Sequence, residues 1–162
     1  MFSAEIKKMA AECLTKAKTS QSMLVTAESC TGGLLSGALT AISGASDAFD
    51  CGFVTYTNQS KQTLLGVSAK SLATFGAVSD VVAKEMAYGA IIHSSGDVAV
   101  SITGVAGPDG GTADKPVGLV WIGVAKVGQT PNAYRCDFGN MDREAVREQA
   151  VLTALTLLHK AL

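Results

Sequence analysis

A chain of 162 residues, 48% hydrophobic and with a formal charge of −1, has the apolar content for one compact domain spanning residues 1–162 and argues against disorder. Its near-neutral balance offers no basic footprint for nucleic acid. The absence of an apolar run of about 18 residues, of a leader pattern and of zinc-like spacing among Cys13, Cys30, Cys51 and Cys136 points to a soluble, cytoplasmic protein with reduced thiols, no metal and no membrane partner.

The predicted elements alternate. Residues 3–18 place Ile6, Met9, Ala10, Cys13, Leu14 and Ala17 at helical spacing, with lysines opposite. Met23–Thr26 reads as a buried strand and 31–42 as a helix of small residues. Cys51–Tyr56 is a second strand, rich in β-formers. Asn58–Leu65 reads as a short helix ended by Gly66. A turn-rich stretch around Phe75 and Gly76 leads to Ser79, the expected cap of a helix reaching about His93. Asp97–Thr103 is almost wholly apolar, as central strands are. The loop Gly104–Pro116 follows, then a hairpin of Val117–Val127 and Ala133–Phe138, and a last helix beginning near Asn140 or Asp142. Helices interleaved with strands, plus one hairpin, imply an α/β fold: a three-layer α/β/α sandwich on a mixed, mostly parallel sheet of about five strands.

Ligands of open α/β sheets bind beyond the carboxyl ends of the strands, and three chemically rich segments follow strands: Glu28–Gly33, Tyr56–Lys61 and Thr103–Gly111. In the first, Ser29 and Cys30 are nucleophile candidates next to a helix start suited to an anion or oxyanion. The plainer reading is that Ser29 or Thr31 only caps that helix. The glycine-rich loop from Gly104 to Gly111 is neither a Walker motif nor a dinucleotide fingerprint, and its plainer reading is a long connection without a ligand.

Only two histidines occur, His93 and His159, both near predicted helix ends, so a Ser-His-Asp triad is poorly supported. No cluster has metal-ligand spacing. What remains is a serine activated by a lysine. Lys61 fits if its pKa is lowered by burial or by a neighbouring cation, for which Arg143 and Arg147 are candidates. The bland alternative makes Lys61 an exposed lysine and the arginines a solvated helical turn.

The segments Thr26–Gly33 (TAESCTGG), Gly52–Asn58 (GFVTYTN), Gly76–Ser79 (GAVS), Thr103–Gly111 (TGVAGPDGG) and Lys115–Gly118 (KPVG) together resemble the CinA C-terminal domain family, in colinear order over nearly the whole chain. That family contains bacterial nicotinamide-nucleotide amidohydrolases, and the chain resembles the stand-alone deamidase form. The resemblance implies a CinA-like, anticodon-binding-domain-like sandwich that hydrolyses nicotinamide mononucleotide to nicotinic acid mononucleotide and ammonia. It implies no cofactor, and a homo-oligomer. By the same resemblance Ser29 is the nucleophile, Lys61 its base, and Ser46, Tyr56, Thr103 and Arg143 match positions tied to catalysis or substrate binding, with serine in other members where Thr103 stands.

Physical reasoning then gives the remaining expectations. Backbone N–H groups of Cys30, Thr31, Gly32 and Gly33 would hold the oxyanion. The phosphate would sit on the loop with Gly104, Gly107, Gly110 and Gly111, near Arg143. Cys30 is a wall residue rather than the nucleophile, since no histidine stands near to make a thiolate. Two other readings stand beside this one: a nucleotide-binding regulatory module of the competence/damage type without turnover, and a protein whose loops bind a macromolecule.

Overall fold

The computed structural model describes residues 2–139 and 141–162. Helix α1 (Ala4–Thr19) starts at Ser3, whose side chain accepts from the Ile6 N–H, and buries Ile6, Ala10, Cys13, Leu14 and Ala17, the stripe expected from its period. Strand β1 (Leu24–Glu28) is buried along its whole length. Helix α2 (Leu34–Thr40) begins three residues later than the sequence pattern suggests, because Gly32 (φ 61°) and Gly33 (φ 97°) turn the chain through left-handed backbone first. A 3₁₀ turn (Ala45–Asp47) leads into β2 (Phe49–Val54).

Strand β2 starts and ends two residues before the expected Cys51–Tyr56. Thr55 leaves the sheet, its N–H donating to Glu28 O at 2.8 Å, and the chain turns into α3 (Asn58–Leu65). A reciprocal Thr57–Ser60 capping box opens α3, and Gly66 closes it in left-handed conformation. The turn-rich stretch contains an unexpected helix, α4 (Ala69–Phe75), capped by Ser68. With seven residues and Leu72 as its buried anchor, it is too short to print a period in the sequence. Helix α5 (Asp80–Ile92) is capped by Ser79 as predicted. Strands β3 (Val98–Gly104), β4 (Leu119–Lys126) and β5 (Asn132–Asp137) follow, then α6 (Arg143–Ala161). Asp142 caps α6, accepting from the Ala145 N–H at 2.8 Å; the alternative start at Asn140 lies outside the described residues.

The sheet order is β2-β1-β3-β4-β5. Strand β1 pairs in parallel with β2 and β3, while β4 runs antiparallel to both β3 and β5. Four of the five strands therefore share a direction, and the carboxyl ends of β1, β2 and β3 meet at one edge. One core lies between the sheet and α1, α2 and α6, with Leu35, Ile102, Ile122, Val151 and Leu155 inside. The other lies under α3, α4 and α5 around Val25, Leu65, Val82 and Met86. This is the mixed α/β/α sandwich the sequence predicts. Among the described residues no helix is long and apolar enough to cross a membrane.

Candidate active site

Ser29 is the first residue beyond β1. Its N–H donates to Ile102 O at 2.9 Å, which fixes it against the end of β3, and it is 9% exposed. Lys61 lies in the first turn of α3, and the capping box that starts this helix sets the direction of its side chain. The residue is 1% exposed. Its ammonium donates to Ser29 Oγ at 2.9 Å, to Thr55 O at 2.9 Å and to Tyr56 O at 3.4 Å. Burial pulls its pKa from 10.5 down to about 8, since a low-dielectric site disfavours the charged form.

The expected contribution of a neighbouring arginine is not what lowers it. The Arg143 guanidinium donates to Gly107 O (2.7 Å) and Tyr56 OH (3.1 Å), and Arg147 Nη2 donates to Thr31 O (3.0 Å). Three acceptors match the three N–H bonds of the ammonium. In the neutral amine, two N–H bonds still reach the carbonyls of Thr55 and Tyr56, and the lone pair faces the Ser29 hydroxyl. That arrangement suits transfer of the serine proton to Lys61.

A cavity of about 310 Å³ opens over this pair. Of the residues singled out from the sequence, Ser29, Cys30, Tyr56 and Lys61 line one side of it, and Thr103, Gly104, Gly107, Gly110 and Arg143 the other. Thr103 is buried, and its hydroxyl donates to Ala77 O at 2.9 Å, tying the end of β3 to the segment before α5. Burial pushes the Cys30 thiol up to about 11, so it stays protonated near neutral pH and is a wall rather than a nucleophile. Neither histidine lines the cavity.

Five expected site residues lie elsewhere. Ser46 is exposed in the 3₁₀ turn that enters β2. Because Phe49 pairs with Leu24 at the start of β1, Ser46 sits at the opposite edge of the sheet, about 16 Å along the strand direction from Ser29. Thr31, Gly32 and Gly33 line a turn, not the cavity. The Gly32 N–H donates to Ser29 O (3.1 Å), and the Thr31 hydroxyl and Gly33 N–H donate to Glu28 Oε2 (2.7 and 3.1 Å). Of the four expected oxyanion donors, only the N–H groups of Cys30 and Thr31 lack an acceptor among the described residues, and of these two only Cys30 lines the cavity. The plainer capping reading also changes, because neither Ser29 nor Thr31 caps α2; the Glu28 carboxylate takes that place. Gly111 is exposed and backs onto Val117, whose N would lie 3.0 Å from an added Cβ.

Besides the apolar Ala77, Val78, Val105 and Ala106, two polar cavity residues escaped the sequence reading, Asn58 at the start of α3 and Asp109 in the glycine-rich loop. Their one available signal was position, since each follows a predicted strand in a segment already suspected. Glu28 was overlooked for a different reason: an acid ending an apolar strand gives no hint of which way its side chain turns. Among the described residues no group of three or more His, Cys, Asp or Glu could hold a metal ion.

The model of the CinA C-terminal domain matches residues 6–162. A nicotinamide-nucleotide amidohydrolase (PncC) of Enterobacter agglomerans is 56% identical over 80% of this chain and 78% of its own. The Escherichia coli K12 protein of the same name is 43% identical over 98% of this chain and 95% of its own. A CinA-like protein of Trichormus variabilis is 49% identical over 90% of this chain, which spans only 35% of that longer protein. Among solved structures, a competence/damage inducible protein of Agrobacterium tumefaciens superposes with a TM-score of 0.95 at 44% identity, covering 98% of this chain and 96% of that one.

Proposed function

The chain belongs to the CinA C-terminal domain family, and on that premise we propose that it hydrolyses the carboxamide of nicotinamide mononucleotide, through an acyl-enzyme on Ser29, to nicotinic acid mononucleotide and ammonia. The likeness to amidohydrolases of that name over 80% and 98% of this chain supports the reaction class. The observation that carries the mechanism is the buried Lys61 Nζ at 2.9 Å from Ser29 Oγ.

Neutral Lys61 takes the hydroxyl proton as Ser29 Oγ bonds to the amide carbon, and the carbonyl electrons move onto oxygen. The N–H group of Cys30, which lines the cavity, receives this oxyanion. As it collapses, the C–N bond breaks and Lys61 returns the proton to the departing nitrogen, which leaves as ammonia. A water then attacks the ester carbon while Lys61 takes its proton. Lys61 passes that proton to Ser29 Oγ as the C–Oγ bond breaks, releasing the carboxylic acid. Tyr56 links the two ends of the site, its carbonyl on Lys61 and its hydroxyl on Arg143. Arg143 and the backbone around Gly107 and Gly110 hold the phosphate.

Ammonia release from nicotinamide mononucleotide tests this directly. Wild-type protein releases it, and Ser29→Ala and Lys61→Arg do not, because a guanidinium keeps its proton near neutral pH. Undiminished release by either variant, or none by the wild type, refutes the proposal.

A further inference from the structure

Glu28 directly precedes Ser29, is fully buried, and turns its side chain away from the cavity toward α2. A buried carboxylate persists only when its lone pairs are filled. Here five donors fill them: Thr31 Oγ1 (2.7 Å), Gly33 N (3.1 Å) and Leu35 N (3.0 Å) on Oε2, and Ser36 N (2.8 Å) and Ser36 Oγ (2.7 Å) on Oε1. The end of α2 that would attract an external anion is therefore taken by the chain's own strand. Since Ser36 gives its hydroxyl proton to Glu28, Thr26 is the donor in the 2.7 Å Thr26–Ser36 contact. The neighbouring strand makes room for this arrangement: a Cβ on Gly52 would fall 2.1 Å from Ser36 Oγ.

The two carboxylate oxygens have different jobs. Oε1 faces the body of α2 through Ser36. Oε2 gathers Thr31 and Gly33 of the turn together with the Leu35 N–H of α2, and Arg147 holds the same turn from α6 through Thr31 O. Thr31 is thus fixed by its hydroxyl and by its carbonyl, and this anchors the turn just after Cys30.

We propose that Glu28 is a positioning residue for the amide hydrolysis: its Oε2 folds the Ser29–Gly33 turn so that the Cys30 N–H, on the cavity wall, stays free for the oxyanion formed on Ser29. This rests on the acyl-enzyme reading above. Thr31→Val and Ser36→Ala separate it from a role in stability alone, because each removes one hydroxyl donor from Glu28, on opposite oxygens.

The measurement is steady-state kinetics on nicotinamide mononucleotide at matched folded fraction, with kcat, KM and the pH profile determined for each variant. Thr31→Val lowers kcat at least tenfold, with KM within about twofold and the pH midpoint kept. Ser36→Ala stays within about twofold in kcat. Glu28→Gln, which puts an amide donor among donors, lowers kcat on the order of a hundredfold, as losing one oxyanion donor does. Equal kcat values for Thr31→Val and Ser36→Ala, or losses confined to KM, overturn the inference while leaving the reaction intact. No ammonia from the wild type overturns the reaction, and the inference with it.

Discussion

Replacing Lys61 by methionine removes the proposed base, and it should stabilise the protein at neutral pH. Held at about 8 instead of 10.5, the ammonium is disfavoured in the native state by about 3 kcal/mol. Methionine keeps the apolar stem, escapes that cost, and forfeits the hydrogen bonds to Thr55 O and Tyr56 O, worth about 1 kcal/mol each. The net gain at pH 7 is about 1 kcal/mol, or about 2–4 °C in Tm for a chain of this size. The pH dependence gives the sharper reading. Below pH 8 the lysine is protonated in both native and unfolded states, so the wild type carries the full cost. Between 8 and 10.5 the unfolded chain binds a proton that the native state has released, so wild-type stability rises with pH. By pH 10 the wild type has recovered about 2.5 kcal/mol relative to the variant, and Lys61→Met becomes the less stable protein by about 1 kcal/mol. Urea unfolding of both proteins at pH 7 and pH 10 measures the difference. A stability gap that does not change with pH would refute the reasoning, whatever its sign.

Two further outcomes follow from the same geometry. The rate of ammonia release should rise with pH through an apparent pKa near 8, the value that burial gives Lys61, with activity at pH 7 about a tenth of the plateau; a profile flat from pH 6 to pH 9 contradicts a neutral lysine base. Arg143→Gln should raise KM for nicotinamide mononucleotide roughly tenfold or more, the worth of a charge-assisted contact. It should leave the phosphate-free riboside nearly unaffected, and equal effects on both substrates would remove Arg143 from the phosphate.

The layering of the fold was legible because its signals are local or periodic: the α1 stripe, the apolar run of β3, the caps at Ser79 and Asp142. Helix α4 was not, since one buried leucine makes no period. The site was legible only as a set of strand ends. Parallel pairing of β1 with β2 and β3 is what turns Ser29, Lys61 and Thr103 into neighbours, and the same pairing carries Ser46 to the far edge. No sequence spacing announces that Glu28 rather than Thr31 caps α2, because that depends on which side of the strand a side chain leaves. Nor does it show that burial, not Arg143 or Arg147, tunes Lys61; both arginines turn out to hold carbonyls.

The position of β1 between β2 and β3 brings two different stretches of the chain to the cavity. Residues 28–61, running from Glu28 through Ser29 to Lys61, hold the proposed reacting groups and the carbonyls that orient them. The opposite wall comes from Thr103, the glycine-rich loop and Arg143, which belong to later segments. Under the proposed mechanism, a change in the second stretch alters which amide is admitted and reaches Lys61 only through the Arg143–Tyr56 contact, whereas loss of Ser29 or Lys61 stops hydrolysis. If the proposed mechanism holds, a family built this way can yield both working enzymes and catalytically silent receptors for the same ligand, by drift in one short span.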